Sequence, residues 1–264
     1  MFSSKVVVIT GASVGIGAGT AIQFAKEGAF GIVIHGRNES GLQDVKRQCE
    51  EAGNGKVKVH ICVGDITKAE SREKIINETI KEFGRIDILF NNAGIISRTP
   101  ASECPMADYD SIFDVNLRSV VALTNLAVPY LIKTQGNVVN NSSVLGSIAN
   151  PLFVAYCMTK AALDHYTRCL AVDLGPKGVR VNCIKPGLID DTIIFSRLGW
   201  FKSEDERKHF YDDFVKSYPL GPRRGTLEEV ANLVLFLASD KASFLTGVCV
   251  PVDGGHSKVA SSIA

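Results

Sequence analysis

Tyr156 and Lys160 stand four residues apart in Tyr156-Cys157-Met158-Thr159-Lys160, inside an Ala- and Leu-containing run that reads as helix. That spacing stacks both side chains on one helix face. An ammonium beside a phenol favours the phenolate. At about 5–6 Å and an effective dielectric near ~20, the attraction is roughly 3 kcal/mol, or about two pKa units off a tyrosine near ~10. A phenol so tuned passes a proton near neutral pH, as general acid–base chemistry requires. Ser143 follows an apolar strand and brings a hydroxyl that could polarise a carbonyl oxygen at the same spot. The competing reading has Tyr156 packed, Lys160 solvated and Ser143 opening a turn. The surrounding elements decide between the two.

Those elements begin with Lys5–Thr10, a β-branched run that fits a strand buried on both faces. Gly11-Ala12-Ser13-Val14-Gly15-Ile16-Gly17 follows, and then a helix to about Glu27. A strand, a glycine turn and a helix start make a phosphate site: glycine lets the backbone approach, and free N–H groups face the anion. The spacing is G-x-x-x-G-x-G rather than the commoner G-x-G-x-x-G. The same residues match the G-x-S-x-G hydrolase elbow, for which Asp253 and His256 would complete a triad around Ser13. Only a short strand precedes the turn, which leaves no room for an upstream oxyanion loop.

The second strand, Gly31–His35, ends at Gly36-Arg37-Asn38. An acid there would bind the ribose 2′-OH of NAD, whereas an arginine pairs with a 2′-phosphate. The chain has Arg37 and no acid at that strand end. A helix to about Ala52 and a strand over Val57–Val63 lead to Gly64-Asp65-Ile66. Asp65 either accepts from an adenine amine or caps the helix beginning near Lys68. A fourth strand, Ile86–Phe90, delivers Asn91-Asn92-Ala93-Gly94, whose small residues leave space for a ligand. A long helix is expected over about Ala107–Lys133, with a bend at Pro129 and Asn116 in its interior, where asparagine is a poor fit.

Gly136–Asn141 carries the fifth strand up to Ser142 and Ser143, and Val179–Ile184 the sixth, ahead of Lys185-Pro186-Gly187. From about 188 to 225 the pattern loosens into aromatics around a charged run, Lys202–Lys208, read as an insertion with one or two short helices. It serves as a substrate lid or as a surface-covering subdomain. Thr226 caps the next helix, and Val248–Val252 is the seventh strand. Regular alternation of strands and helices predicts an α/β, doubly wound parallel sheet with helices on both faces, spanning 1–264 as one domain.

Lys+Arg number 29 against 28 Asp+Glu, and no basic stripe stands out, which argues against nucleic acid as a partner. Seven cysteines without C-x-x-C read as reduced thiols in a cytoplasmic setting. No signal-peptide pattern and no apolar run near ~18 residues is evident, so no membrane association is expected.

In this order and spacing the motifs resemble the short-chain dehydrogenase/reductase family over essentially the whole chain. The carriers are Thr10-Gly11-x-x-x-Gly15-Ile16-Gly17, Asn91-Asn92-Ala93-Gly94, Asn116, Ser143, Tyr156-x-x-x-Lys160, Pro186-Gly187 and the closing Val252-Asp253-Gly254-Gly255. The family places its catalytic serine thirteen residues before its tyrosine, which selects Ser143 over Ser142.

The resemblance implies a Rossmann-type domain, hydride transfer between nicotinamide and a carbonyl/alcohol pair, and no metal. Tyr156 would be the proton donor or acceptor, Ser143 would hold the substrate oxygen, and Lys160 would lower the phenol's pKa and grip the nicotinamide ribose. Asn116 would position a relay water. The cofactor would be held by Gly11, Ser13, Gly15, Ile16 and Gly17 at the pyrophosphate and by Arg37 at the 2′-position, with Asn38 also among the cofactor-binding residues. Asp65 would meet the adenine and Asn91 the adenosine ribose, with Ile66, Ala93 and Gly94 also among the cofactor-binding residues. Ile189 would meet the nicotinamide amide, and Pro186, Gly187 and Thr192 would also contact the cofactor. NADP(H) is favoured through Arg37. Val14 replaces the basic residue common in NADP(H)-preferring members, which keeps NAD(H) in play. A homodimer or homotetramer through the helices at 107–133 and 154–174 is implied. The competing class is a dinucleotide-binding regulator without turnover.

Overall fold

The computed structural model describes residues 1–190 and 203–259. Seven strands, β1 (Val6–Thr10), β2 (Gly31–Gly36), β3 (Lys58–Val63), β4 (Ile88–Asn91), β5 (Asn137–Asn141), β6 (Arg180–Pro186) and β7 (Cys249–Val252), form one sheet. Their order is β3-β2-β1-β4-β5-β6-β7, and every pair is parallel. The α/β, doubly wound parallel sheet expected from alternation, and the Rossmann-type topology that the resemblance implies, are the ones observed. The strand order reverses between β1 and β4, which opens a crevice at the strands' carboxyl ends.

Side chains alternate across the sheet, so each central strand feeds two cores. Val7 and Ile9 of β1 join the layer of α1 (Gly15–Lys26), α2 (Glu39–Ala52) and α8 (Leu227–Ala238). Val8 joins the layer of α3 (Ala69–Phe83), α5 (Ser119–Thr134) and α6 (Val154–Leu174). Burial on both faces explains why β1 reads VVVIT without polar alternation. Thr226 caps α8 in a full capping box with Glu229. The loosely patterned segment contributes α7 (Glu204–Val215), and the short α9 (His256–Val259) follows β7.

The long helix expected over about 107–133 differs from expectation. It begins as α4 (Met106–Phe113), passes through one π-helical turn at Asp114–Arg118 and continues as α5. The departure from α geometry therefore falls at Asn116, while Pro129 sits inside α5. By length and composition the 106–134 helix is apolar enough to cross a bilayer, contrary to the sequence reading. Here it packs against α3 and α6 as a layer of the sheet.

Two glycines of the first turn are forced by close approach. Gly11 has φ +64°, and a Cβ there would lie 2.8 Å from Ala93 Cα. A Cβ on Gly17 would lie 2.5 Å from both Asn92 Nδ2 and Gly11 O. Gly17→Ala is expected to cost about 1–3 kcal/mol in urea unfolding through overpacking. Gly175→Ala, with nothing within 4 Å of the added methyl, is expected to be neutral or stabilising. Equal stability of the two variants would contradict the packing role.

Candidate active site

The crevice at the switch point is a cleft of roughly 790 Å³. One end lies between β2 and β3, the middle over the start of α1, and the other end between α6 and α7.

At the first end, β2 delivers Arg37 and Asn38 to the cleft wall. Arg37 is exposed and makes no hydrogen bond or ion pair among the described residues. Asn38 is committed to capping α2, its Oδ1 accepting from Gly41 N at 3.2 Å and Ser40 Oγ at 2.8 Å. Asp65 and Ile66 also line this end. Asp65 Oδ1 accepts from the N–H and the hydroxyl of Thr67, each at 2.9 Å, and these bonds hold its carboxyl below the usual range. The residue that precedes α3 is Lys68, so Asp65 closes a local turn and does not cap that helix. Sequence reasoning passed over His35, which is buried at the end of β2. Burial lowers its pKa to about 4, so it is a neutral imidazole at pH 7.

Gly11, Ser13, Gly15 and Ile16 line the middle. Val14 precedes α1 with no side-chain cap, and no acid stands in the first turn. The first N–H groups of α1 are thus left to whatever occupies the cleft, which suits a pyrophosphate. Gly17 does not line the cleft; it lets α1 pack on Asn92. Ala93 and Gly94 line it, but the Asn91 side chain does not. The assignment of that side chain to a ribose is corrected: it is buried among the sheet strands, where Nδ2 donates to Thr124 Oγ1 at 3.0 Å and Asn140 Oδ1 at 2.9 Å. Its neighbour Asn92, not singled out from sequence, clamps the glycine turn. Its Nδ2 donates to Thr10 O at 2.9 Å and Gly11 O at 3.0 Å.

At the far end β5 presents Ser143, and α6 presents Tyr156 and Lys160, all on the cleft wall. Ser142 also lines the cleft, but its hydroxyl is engaged by the helix, donating to Lys160 O at 3.2 Å. Lys160 Nζ donates to Asn141 O at 2.6 Å and sits 5.4 Å from the Tyr156 ring centroid. Asn116 is wholly buried and does not line the cleft. Its carboxamide pairs with both main-chain groups of Ile95 at 2.8 Å, which fixes the segment after Gly94.

The expected electrostatics need correction. Burial pushes the Tyr156 phenol up to about 12, a hydrogen bond with Ser143 opposing it. Burial likewise lowers Lys160 to about 8, opposed by Cys183 and Asp164. The spacing argument assumed a well-screened pair, whereas both groups are removed from water and each is driven toward its neutral form.

Pro186, Gly187 and Ile189 line the same end. Thr192 lies outside the described residues. The described part of the 188–225 segment brings Phe210, Phe214 and Tyr218 to the cleft, and His256 stacks on Tyr218 with centroids 4.9 Å apart. Tyr218 Oη also accepts from Leu188 N at 3.2 Å. This aromatic wall was visible only as composition. The hydrolase triad does not assemble: Asp253 accepts from Gly255 N and Ser257 N, and Ser13 has no hydrogen bond to His256 among the described residues.

Comparison with known proteins agrees with this geometry. A family model described as Enoyl-(Acyl carrier protein) reductase matches residues 11–257. The chain is 34% identical over 252 residues to a 3-oxoacyl-[acyl-carrier-protein] reductase of Thermotoga maritima, covering 95% of this chain and 97% of that one. It is 37% identical over 255 residues to a meso-2,3-butanediol dehydrogenase of Serratia marcescens, covering 96% and 95%. The crystal structure of levodione reductase superimposes with a TM-score of 0.92 at 32% identity, covering 98% of this chain and 99% of that one. The chain belongs to the short-chain dehydrogenase/reductase family and is an NAD(P)-dependent oxidoreductase acting on an alcohol/carbonyl pair.

Proposed function

We propose that this enzyme is an NADP(H)-preferring carbonyl reductase or alcohol dehydrogenase in which Tyr156 is the proton donor and acceptor. The observation that carries the reading is the shared wall: Ser143, Tyr156 and Lys160 meet at one end of a cleft whose other end holds Arg37. A bound nicotinamide dinucleotide supplies or takes up the hydride. The cleft fits such a group, with uncapped N–H groups at its middle and, at the far end from Tyr156, a guanidinium with no hydrogen bond or ion pair among the described residues. Gly11, Ser13, Gly15 and Ile16 would hold the pyrophosphate, and Arg37 the 2′-phosphate.

In reduction, Ser143 donates a hydrogen bond to the substrate oxygen, and Tyr156 hands its proton to that oxygen as negative charge grows. The raised phenol pKa keeps the donor protonated at neutral pH. Lys160 remains the nearby cation that stabilises the resulting phenolate, and its ammonium is held in line by Asn141 O. Asn116 acts as a positioning residue, its carboxamide holding both main-chain groups of Ile95. In alcohol oxidation the same proton runs in reverse. Exposed Leu126 on α5 and Met158 and Val172 on α6 support self-association through these helices.

Tyr156→Phe is expected to lower NADPH-dependent reduction of a ketone panel by at least about 10²-fold, the scale of general acid catalysis, with nucleotide binding retained. Near-wild-type turnover would overturn the assignment. Because Lys160 loses its charge above about 8, kcat/KM for reduction should fall as pH rises through that value; a profile flat to pH 10 contradicts it. Arg37→Ala should raise KM for NADPH roughly 10-fold or more, as expected for one charge-assisted contact of about 1.5–3 kcal/mol, and leave KM for NADH nearly unchanged. An unchanged preference would remove the NADP(H) reading.

A further inference from the structure

The cleft-facing stripe of α6 continues at four-residue spacing into Asp164 and Arg168, which reach β6 and β7. Asp164 is buried, with Oδ2 2.6 Å from Lys185 Nζ of β6. Lys185 also donates to Ser147 Oγ, on the loop that follows Ser143. This buried pair therefore ties the catalytic helix to β6 and to the serine loop.

Two thiols share that carboxylate. Cys183 of β6 and Cys249 of β7 are directly opposite one another in the parallel register. Cys183 is buried and donates to Asp164 Oδ1 at 3.5 Å. Cys249 is half-buried, and its sulfur lies 3.7 Å from Asp164 O and 3.8 Å from Arg168 Nη1. The two sulfurs and a carboxylate oxygen fall within 4.8 Å of one another. Neighbouring strands run about 4.8 Å apart, inside the Cα separation that a disulfide accepts. The three ligand atoms could also suggest a metal, but Lys185 and Arg168 already bring two cations to the cluster, which disfavours a divalent ion. A hydrogen bond with Cys183, with Arg168 and Lys185 adding to it, lowers the Cys249 thiol, so the partner nearer solvent is the readier thiolate.

We propose that Cys183 and Cys249 form a reversible disulfide that locks β6 to β7 and slows turnover by withdrawing the Cys183 thiol from Asp164 behind Lys160. The oxidant is a hydroperoxide. With hydrogen peroxide, the Cys249 thiolate attacks the O–O bond and becomes a sulfenic acid, and the released hydroxide takes up a proton to give water. The Cys183 sulfur then attacks the sulfenic sulfur. The S–S bond forms, and the departing hydroxide leaves as water with the Cys183 proton. Two thiols lose two electrons, and the peroxide gains them.

The test treats the purified full chain with equimolar hydrogen peroxide, alkylates it under denaturing conditions and maps it by mass spectrometry, with kcat measured in parallel. The expected result is a single linked peptide joining Cys183 and Cys249. It should come with a fall in kcat of roughly 2- to 10-fold, the range that one hydrogen bond spans, reversed by dithiothreitol. Cys249→Ser, which leaves the Cys183 thiol on Asp164, should keep basal turnover and lose both the linked peptide and the peroxide response. Oxidation of Cys104, Cys157 or Cys169 instead, over-oxidation of Cys249 with Cys183 still alkylatable, or a 183–249 bridge with unchanged kcat would each overturn the proposal. The mass readout needs no substrate, so it fails or succeeds independently of the cofactor and substrate assignments.

Discussion

Desolvation of one tyrosine and one lysine governs this active site. Tyr156 and Lys160 are both drawn out of water on the inner face of α6, and each is pushed toward its uncharged form. A buried ammonium persists only where carbonyls and carboxylates compensate it. Asn141 O provides the direct contact, and Asp164 stands one turn further along the helix. The sheet supplies that carbonyl directly, because β5 ends at Asn141 beside the lysine. The resting site is consequently a neutral acid beside a marginally stable cation, a combination suited to giving up a proton at the moment charge develops on a bound carbonyl.

The same constraint explains why one helix organises so much of the molecule. The stripe from Tyr156 to Arg168 touches the cleft at one end and the β6–β7 edge at the other. Between them, Ser142 bonds Lys160 O and Lys185 bridges Asp164 to the serine loop. A shift of α6 moves the phenol, the ammonium and the Ser143 loop together, so geometry at the reacting atoms is inherited from packing several turns away. Asn116 acts in the same manner from the opposite side, by fixing Ile95 and the floor beneath Gly94.

Much of this was legible in the sequence. Alternating strand and helix patterns carried the sheet, and local spacing carried Ser143, Tyr156, Lys160 and the glycine turn, because those features depend on neighbours along the chain. What depends on partners far away in sequence was not legible. Asn91 and Asn92 are adjacent and identical, yet the strand's twofold alternation sends one into the sheet and the other under the turn. Gly17 looked like a ligand contact because its constraint comes from Asn92, far along the chain. The phenol's pKa went the wrong way because four-residue spacing supplies a distance but not a dielectric. The aromatic wall needed α7 and α9 brought together across β7.

The central claim is that Tyr156 rests as a neutral phenol in the cofactor-free protein, protonated by burial and not ionised by its lysine. Its most direct test is ultraviolet difference titration of the free protein against Tyr156→Phe, following phenolate absorbance. No Tyr156 phenolate should appear below pH 10. A phenolate band that rises between pH 7 and 8 and is missing from the variant would contradict the account.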